Sequence, residues 1–411
     1  MPKQFENLLL EPMRALPSSA LPEQIFIVVD ALDECEDDQQ IQTLLRLLKQ
    51  IEDITTARIQ IMVTSRPDIS LIRGFGDMPE SLLQDVRLEE AQTTSIKSDL
   101  GIFFDHEFAQ IKKSYPRRVT FGRPLPEEWP EDKDVQVLAD KAYPLFIVAS
   151  TICRYISLSK TPENELKALL SAQKHNYGPS SGLAEVYLTI LQQATTAEGR
   201  QSTGDELSEL RTVIGSLILL YDPLSATALS HLLNEPILSI GSFIVRLQSV
   251  LDIGKLADGQ IDPYSPIKPF HLSFRDFLVD ATLRNIDEGK DFHIHEAKTH
   301  HHLAEQCLRL LSSGPLKEDV CQIKAPGTRR AEVERSRVLD HLPREVEYAC
   351  IYWVRHAAEG QEALDDNGSV YEFLKQHFLH WFEAMSWLGK ASQVIRDIAK
   401  LLGIKDVSHM K

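Results

Sequence analysis

The sequence predicts a small parallel α/β segment at the N-terminus, followed by a mostly α-helical region that contains a winged-helix unit. Three observations carry this. Two short, β-branched apolar runs at 25–29 and 59–64 flank an apolar repeat of helical spacing. From about residue 135 onward apolar residues recur almost throughout with helical periodicity. Residues 221–285 interrupt that periodicity with short helices and a stretch rich in Gly, Asp and Pro.

In chain order, Ile25-Phe26-Ile27-Val28-Val29 is wholly apolar, the mark of a strand buried on both faces. Ile41, Leu44, Leu45, Leu48 and Ile51 then line one face of a helix. Ile59 to Thr64 forms a second strand and Val86-Arg87-Leu88 a weaker third. Strand, helix and strand at this spacing imply a parallel βαβ arrangement that ends near residue 90. Residues 92–112 read as a helix. Pro116, Pro124, Pro126 and Pro130, with Gly122, make 114–133 a linker. Two apolar stripes follow: Val186, Tyr187, Ile190 and Leu191, then Leu210, Val213, Ile214, Leu217 and Ile218. Short helices at 225–233 and 239–251 precede residues 252–269, the expected wing. Residues 293–402 are helical again. Tyr371, Leu374, Phe378, Trp381, Phe382 and Met385 step by three and four, which predicts one buried aromatic face.

Composition narrows the function. Hydrophobic residues are 43% of the 411 and charged residues 25%, so a disordered chain is excluded. With 44 basic and 60 acidic residues the net charge is -16, which argues against nucleic-acid and anionic-membrane partners. The expected recognition helix of the winged-helix unit has Arg246 as its one basic residue, far too few for phosphate contacts. No apolar run reaches the roughly 18 residues of a membrane span, and the first residues carry no signal-peptide core. The five cysteines are widely spaced and lack a C-x-x-C pair, so they read as buried thiols in a reducing compartment. A cytoplasmic location follows. His293, His295, His300, His301 and His302 have no pair at the i, i+4 spacing of a helical metal site, and are expected on a solvated helix surface.

Two motifs carry chemistry. Val28-Val29-Asp30-Ala31-Leu32-Asp33-Glu34 ends an apolar strand in carboxylates. A rigid strand with acidic residues at its C-terminal tip is how P-loop NTPases hold magnesium. Asp30 would hold the metal's water shell, and Asp33 or Glu34 would orient the attacking water. The competing reading is a strand followed by an acidic, solvated turn. Ile61-Met62-Val63-Thr64-Ser65-Arg66 ends the next strand in an arginine, which a parallel sheet would bring to the same edge as Asp30. There Arg66 would neutralise a terminal phosphate; alternatively it pairs locally with the acidic stretch Asp33 to Asp38.

With these residues in view, "FIVVDALDECED" followed by "IQIMVTSRPD" resembles the second half of a NACHT domain of the fungal STAND type. These are signalling ATPases or GTPases related to NOD-like receptors and heterokaryon-incompatibility proteins. "QFENLLLEPMRAL", "ADKAYPLFIVASTICRYI", "PFHLSFRDFLVD", "EYACIYWVRHA" and "LHWFEAMSWLG" are similar to further family segments. The resemblance implies four parts: a partial NTPase core at 1–90, a helical subdomain at 91–204, a winged-helix subdomain at 205–285 and a C-terminal helical domain at 286–411. It implies magnesium with ATP or GTP as cofactors and other protein chains as partners. It also implies that Pro144 packs on the nucleotide base and that His271 reaches the diphosphate. The residues alone also allow Pro144 as a helix-start proline and His271 as a satisfied core group. Ala142 stands where the family usually has glycine.

The phosphate cradle, G-x-x-x-x-G-K-[ST], is not found. Gly254-Lys255, Gly289-Lys290 and Gly389-Lys390 all lack the flanking residues. The 24 residues before Ile25 are too few for a cradle strand, loop and helix. The expectation is therefore a central slice of a receptor, unable to hydrolyse nucleotide alone and acting through protein interaction. The alternative is a truncated reading of an active switch whose cradle lies upstream of Met1.

Overall fold

The computed structural model describes residues 2–15, 24–35, 38–53, 58–66, 84, 86, 93–118, 124–171, 181–197, 200–201, 203–256, 260–325, 327–360 and 368–408. The chain forms two compact units, Met1–Ala91 and Gln92–Lys411.

In the first unit β1 (Gln24–Val29) pairs in parallel with β2 (Arg58–Val63), Gln24 opposite Arg58 through Val29 opposite Val63. Helix α1 (Asp38–Lys49) lies between them in sequence. It and the helical stretch 2–15 cover one face of the sheet. Leu10, Leu48 and Ile51 bury against Ile27, Val29, Ile59 and Val63. The opposite face differs from the expectation of a strand buried on both sides. Phe26 is 67% exposed, Val28 64% and Met62 61%. The physical reason is that both helical pieces sit on the same side, so among the described residues no layer covers the alternate side chains of each strand. The expected third strand at 86–88 falls mostly outside the described residues, and Val86 itself is exposed and not in a strand.

The second unit begins with α2 (Thr93–Arg118), α3 (Asp132–Ala142), α4 (Phe146–Leu158), α5 (Pro162–Ser171) and α6 (Ser181–Thr195). Helix α2 runs into the expected linker at 114–133. Its buried stripe Leu100, Phe104, Phe108 and Ile111 continues to Tyr115, so packing overrides the proline that follows. Within the linker Trp129 is also buried, edge-on to Phe108 at 5.4 Å. Helix α7 (Gly204–Leu219) starts at a capping box. The Thr203 hydroxyl accepts from Glu206 N–H at 3.3 Å and the Glu206 carboxylate accepts from Thr203 N–H at 3.0 Å.

Helices α8 (Ala226–Leu233) and α9 (Ile237–Arg246) then lead into an antiparallel pair, β3 (Leu251–Ile253) and β4 (Ile267–Pro269). Helix α9 is displaced from the expected 239–251, because Asn234 ends α8 in a left-handed conformation and Pro236 restarts the chain. Helix α10 (Leu272–Val279) follows β4 directly. The remainder is α11 (Glu296–Ser312), α12 (Arg335–His341), α13 (Arg344–Glu359), α14 (Ser369–Trp387) and α15 (Ala391–Ser408). One continuous core runs through this unit, from Leu100 to Leu401.

Two expectations need correction here. The aromatic stripe of α14 is split: Trp381 and Met385 are buried, Leu374 and Phe378 half-buried, and Tyr371 and Phe382 exposed. The buried face is centred on Val370, Phe373, Trp381 and Ala384, and Tyr371 and Phe382 lie roughly 100–120° round the helix from it. The histidines are not all on a solvated surface either. His300 and His293 are buried, His300 against α13 and His293 beside the Arg284 guanidinium at 3.1 Å. Among the described residues no helix is long and apolar enough to cross a membrane.

Candidate functional site

Parallel strands present their C-terminal tips at one edge, and here the ladder continues past both tips. Thr64 N–H donates to Val29 O at 2.9 Å, and Leu32 N–H donates to Thr64 O at 3.0 Å. Between these bonds the chain reverses through Ala31, whose φ of 53° is left-handed. That turn sends Leu32 inward, where it buries with Ile41 and Leu45 of α1.

The polar side chains at the tips are organised by Thr64 and Asp33. The Thr64 hydroxyl donates to Asp30 Oδ1 and accepts from Ala31 N–H at 2.9 Å. Thr64 was not singled out from the sequence. The signal was available, since pairing Val29 with Val63 places Thr64 opposite Asp30. Asp33 accepts from the Arg66 main-chain N–H at 3.1 Å through Oδ1, and its Oδ2 lies 3.5 Å from Arg66 Nε. The Asp33 side chain is 13% exposed and that of Arg66 45%. Asp30, Asp33 and Arg66 therefore meet at one edge, with Arg66 directed onto Asp33. The side chain of Glu34 lies outside the described residues.

Comparisons with known proteins bear on the stretch that carries this edge. Residues 2–66 match the family described as Nephrocystin 3, N-terminal. The chain is also similar to the vegetative incompatibility protein HET-E-1 of Podospora anserina, with 23% identity over 409 aligned residues. That alignment covers 92% of this chain and 27% of HET-E-1, so the chain spans about a quarter of that relative's length. Both similarities support a relation to the NACHT group and to fungal incompatibility proteins.

As a metal site, the edge offers one exposed carboxylate among the described residues, Asp30. Among the described residues no group of three or more His, Cys, Asp or Glu could hold an ion. Magnesium in phosphate sites takes one or two carboxylates and fills its octahedron with phosphate oxygens and water. Asp30 fits the protein's share of such a site, while Asp33 already accepts from Arg66.

Pro144 and His271 belong to the second unit. Pro144 lies in the short connection between α3 and α4, two residues before Phe146. His271 is the N-cap of α10, with Nδ1 accepting from Ser273 N–H at 3.2 Å and 2.6 Å from Ser273 Oγ. That hydroxyl also meets Tyr187 OH at 2.9 Å, and Phe274 buries edge-on against the Tyr187 ring at 5.1 Å. His271 thus holds a capping role, with Nδ1 as acceptor.

Proposed function

We propose that this chain is the strand-tip and helical part of a NACHT-type cytoplasmic regulator of the fungal incompatibility kind, acting through contacts with other protein chains and not turning over nucleotide alone. The observation that carries the reading is the pairing of Arg66 with Asp33 beside a Thr64-anchored Asp30. The groups proposed for phosphate and water bind each other, and the sequence contains no G-x-x-x-x-G-K-[ST]. In this reading Asp30 is the magnesium carboxylate, Asp33 and Glu34 descend from the water-orienting pair, Pro144 packs on the base of ATP or GTP, and His271 faces the diphosphate.

Helices α8 and α9 with the β3–β4 hairpin are read as the winged-helix subdomain. Its α9 turns Ile237, Leu238 and Val245 to solvent, and its one basic side chain, Arg246, donates to Ala194 O at 3.0 Å. That apolar exposed face suits a protein partner and offers nothing to a phosphate backbone.

The test is magnesium-dependent phosphate release from ATP and GTP by the purified chain beside Asp30→Ala. Equal, background release is expected. Turnover that Asp30→Ala abolishes would refute the reading, because the chain would then hydrolyse nucleotide without that phosphate cradle.

A further inference from the structure

The most unusual polar cluster lies far from the strand tips in sequence, in the second unit. His300 Nδ1 on α11 is 2.8 Å from His356 Nδ1 on α13. His356 Nε2 is 2.7 Å from the Tyr348 hydroxyl, and Tyr221 N–H donates to that hydroxyl at 3.3 Å. His356 and Tyr348 are fully buried and His300 nearly so. Tyr221 sits in the connection between α7 and α8. Its ring stacks on His300 and lies 4.7 Å from His356, while the Arg355 guanidinium covers it at 3.7 Å.

The hydrogen-bond donors follow from counting protons. Tyr348 oxygen accepts from Tyr221 N–H, and the assignment that gives the buried Tyr348 O–H an acceptor directs it to His356 Nε2. A neutral His356 then carries its proton on Nδ1 and gives it to His300 Nδ1. His300 in turn keeps its proton on Nε2. Every bond points one way, and every position between the rings holds one proton. An added proton breaks this order: on His356 Nε2 it turns the Tyr348 O–H away, on His300 Nδ1 it displaces the Nδ1 proton of His356, and in either place it leaves a positive charge buried beside Arg355.

We propose that the chain Tyr221–Tyr348–His356–His300 is a proton-sensitive fastener that holds the connection at 219–225 against α11 and α13 when neutral and releases it on acidification. The groups facing the histidines set the balance. Burial acts first on both rings and lowers their affinity for protons, most for His356. Arg355 opposes protonation of both, and Arg275 of α10 opposes it at His300. Glu359 of α13 and Glu296 of α11 favour a proton on His300. Around Tyr348 stand the Cys307 thiol and Tyr352, whose hydroxyl donates to Asp222 at 2.6 Å. Because the folded rings bind protons more weakly than the usual histidine, the released form takes up protons as pH falls below 6.5. The fastening is therefore complete above that pH and lost progressively below it.

The experiment is hydrogen exchange of the full chain at pH 7.5 and 5.5, corrected for the intrinsic pH dependence of exchange. Peptides covering 219–225 should lose at least tenfold in protection, while 146–158 keeps its own. The 146–158 peptide contains no histidine, so it controls for general acid weakening. Tyr348→Phe should show the low protection of 219–225 already at pH 7.5, with no further step. On the unmodified chain, imidazole 15N spectra at pH 7.5 should show His356 as the Nδ1–H tautomer and His300 as Nε2–H. An Nε2–H tautomer at His356 overturns the proposal, as does protection at 219–225 that is unchanged at pH 5.5 or falls in step with 146–158.

Discussion

Replacing Thr64 by valine keeps the shape of the side chain and removes one hydroxyl, which serves two bonds at the strand tips. The bond to the Asp30 carboxylate is charge-assisted, but Asp30 is exposed, so about 1 kcal/mol is the appropriate figure. The bond from Ala31 N–H is partly buried, and its loss costs a further ~0.5–1 kcal/mol. Together they weaken the tip by roughly 1.5–2 kcal/mol, or about 13- to 30-fold in the opening equilibrium. The main-chain bonds from Thr64 N–H and to Thr64 O do not involve the hydroxyl and should survive. Hydrogen exchange of peptides 24–35 and 58–66 reads the effect. Thr64→Val should speed exchange by that factor in the first peptide and leave the second unit untouched, and Thr64→Ser should restore most of the protection. Unchanged exchange at 29–33, or an equal acceleration in α7 and α13, would refute the assignment of Thr64 as the group that fixes Asp30.

Other perturbations test the rest of the molecule. Asp33→Ala should loosen 58–66 more than Arg66→Ala does in exchange measurements, because the Arg66 main-chain bond to Asp33 survives the second change. Arg66→Ala itself should cost less than about 1 kcal/mol, since the ion pair is largely exposed on the arginine side. Trp381→Ala removes a fully buried indole that donates to Cys350 O at 2.9 Å and packs on Trp353 at 5.3 Å; urea unfolding should show a loss of about 3–5 kcal/mol. Limited proteolysis should cut within 1–90 well before 290–400, since the sheet rests on two clusters of three buried residues each while the second unit shares one continuous core.

How far the fold could be read in advance depended on what kind of constraint each residue obeys. The parallel pairing of β1 with β2 was legible because two β-branched runs flank a helical repeat, a local signal. The one-sided burial of that sheet was not, because a run such as Phe26 to Val29 looks the same whether one or both faces are covered. Pro116 suggested a linker, yet Tyr115 still packs, since the buried stripe from Leu100 through Phe108 and Ile111 outweighs the bond that the proline gives up. At the site, Asp30, Asp33 and Arg66 were found as a group because strand tips in a parallel sheet share an edge. That Arg66 meets Asp33 was one of two open readings, and only side-chain geometry separates them. The burial of His300 was illegible for a different reason. Its partner His356 lies 56 positions away, and spacing within the run 293–302 carries no trace of it.

The distribution of thiols has a practical consequence. Cys153, Cys307, Cys321 and Cys350 are buried, and burial raises the pKa of each, to about 11 for Cys321 and further for the others. Cys35 is the only one of the five cysteines that is not fully buried, and it follows the turn that carries Asp30 and Asp33. An alkylating dye applied to the native protein should therefore attach at Cys35 alone. The molecule comes with its own single-site reporter, placed five residues from Asp30, where a change in fluorescence would register whatever binds at the strand tips without any cysteine having to be engineered in or out.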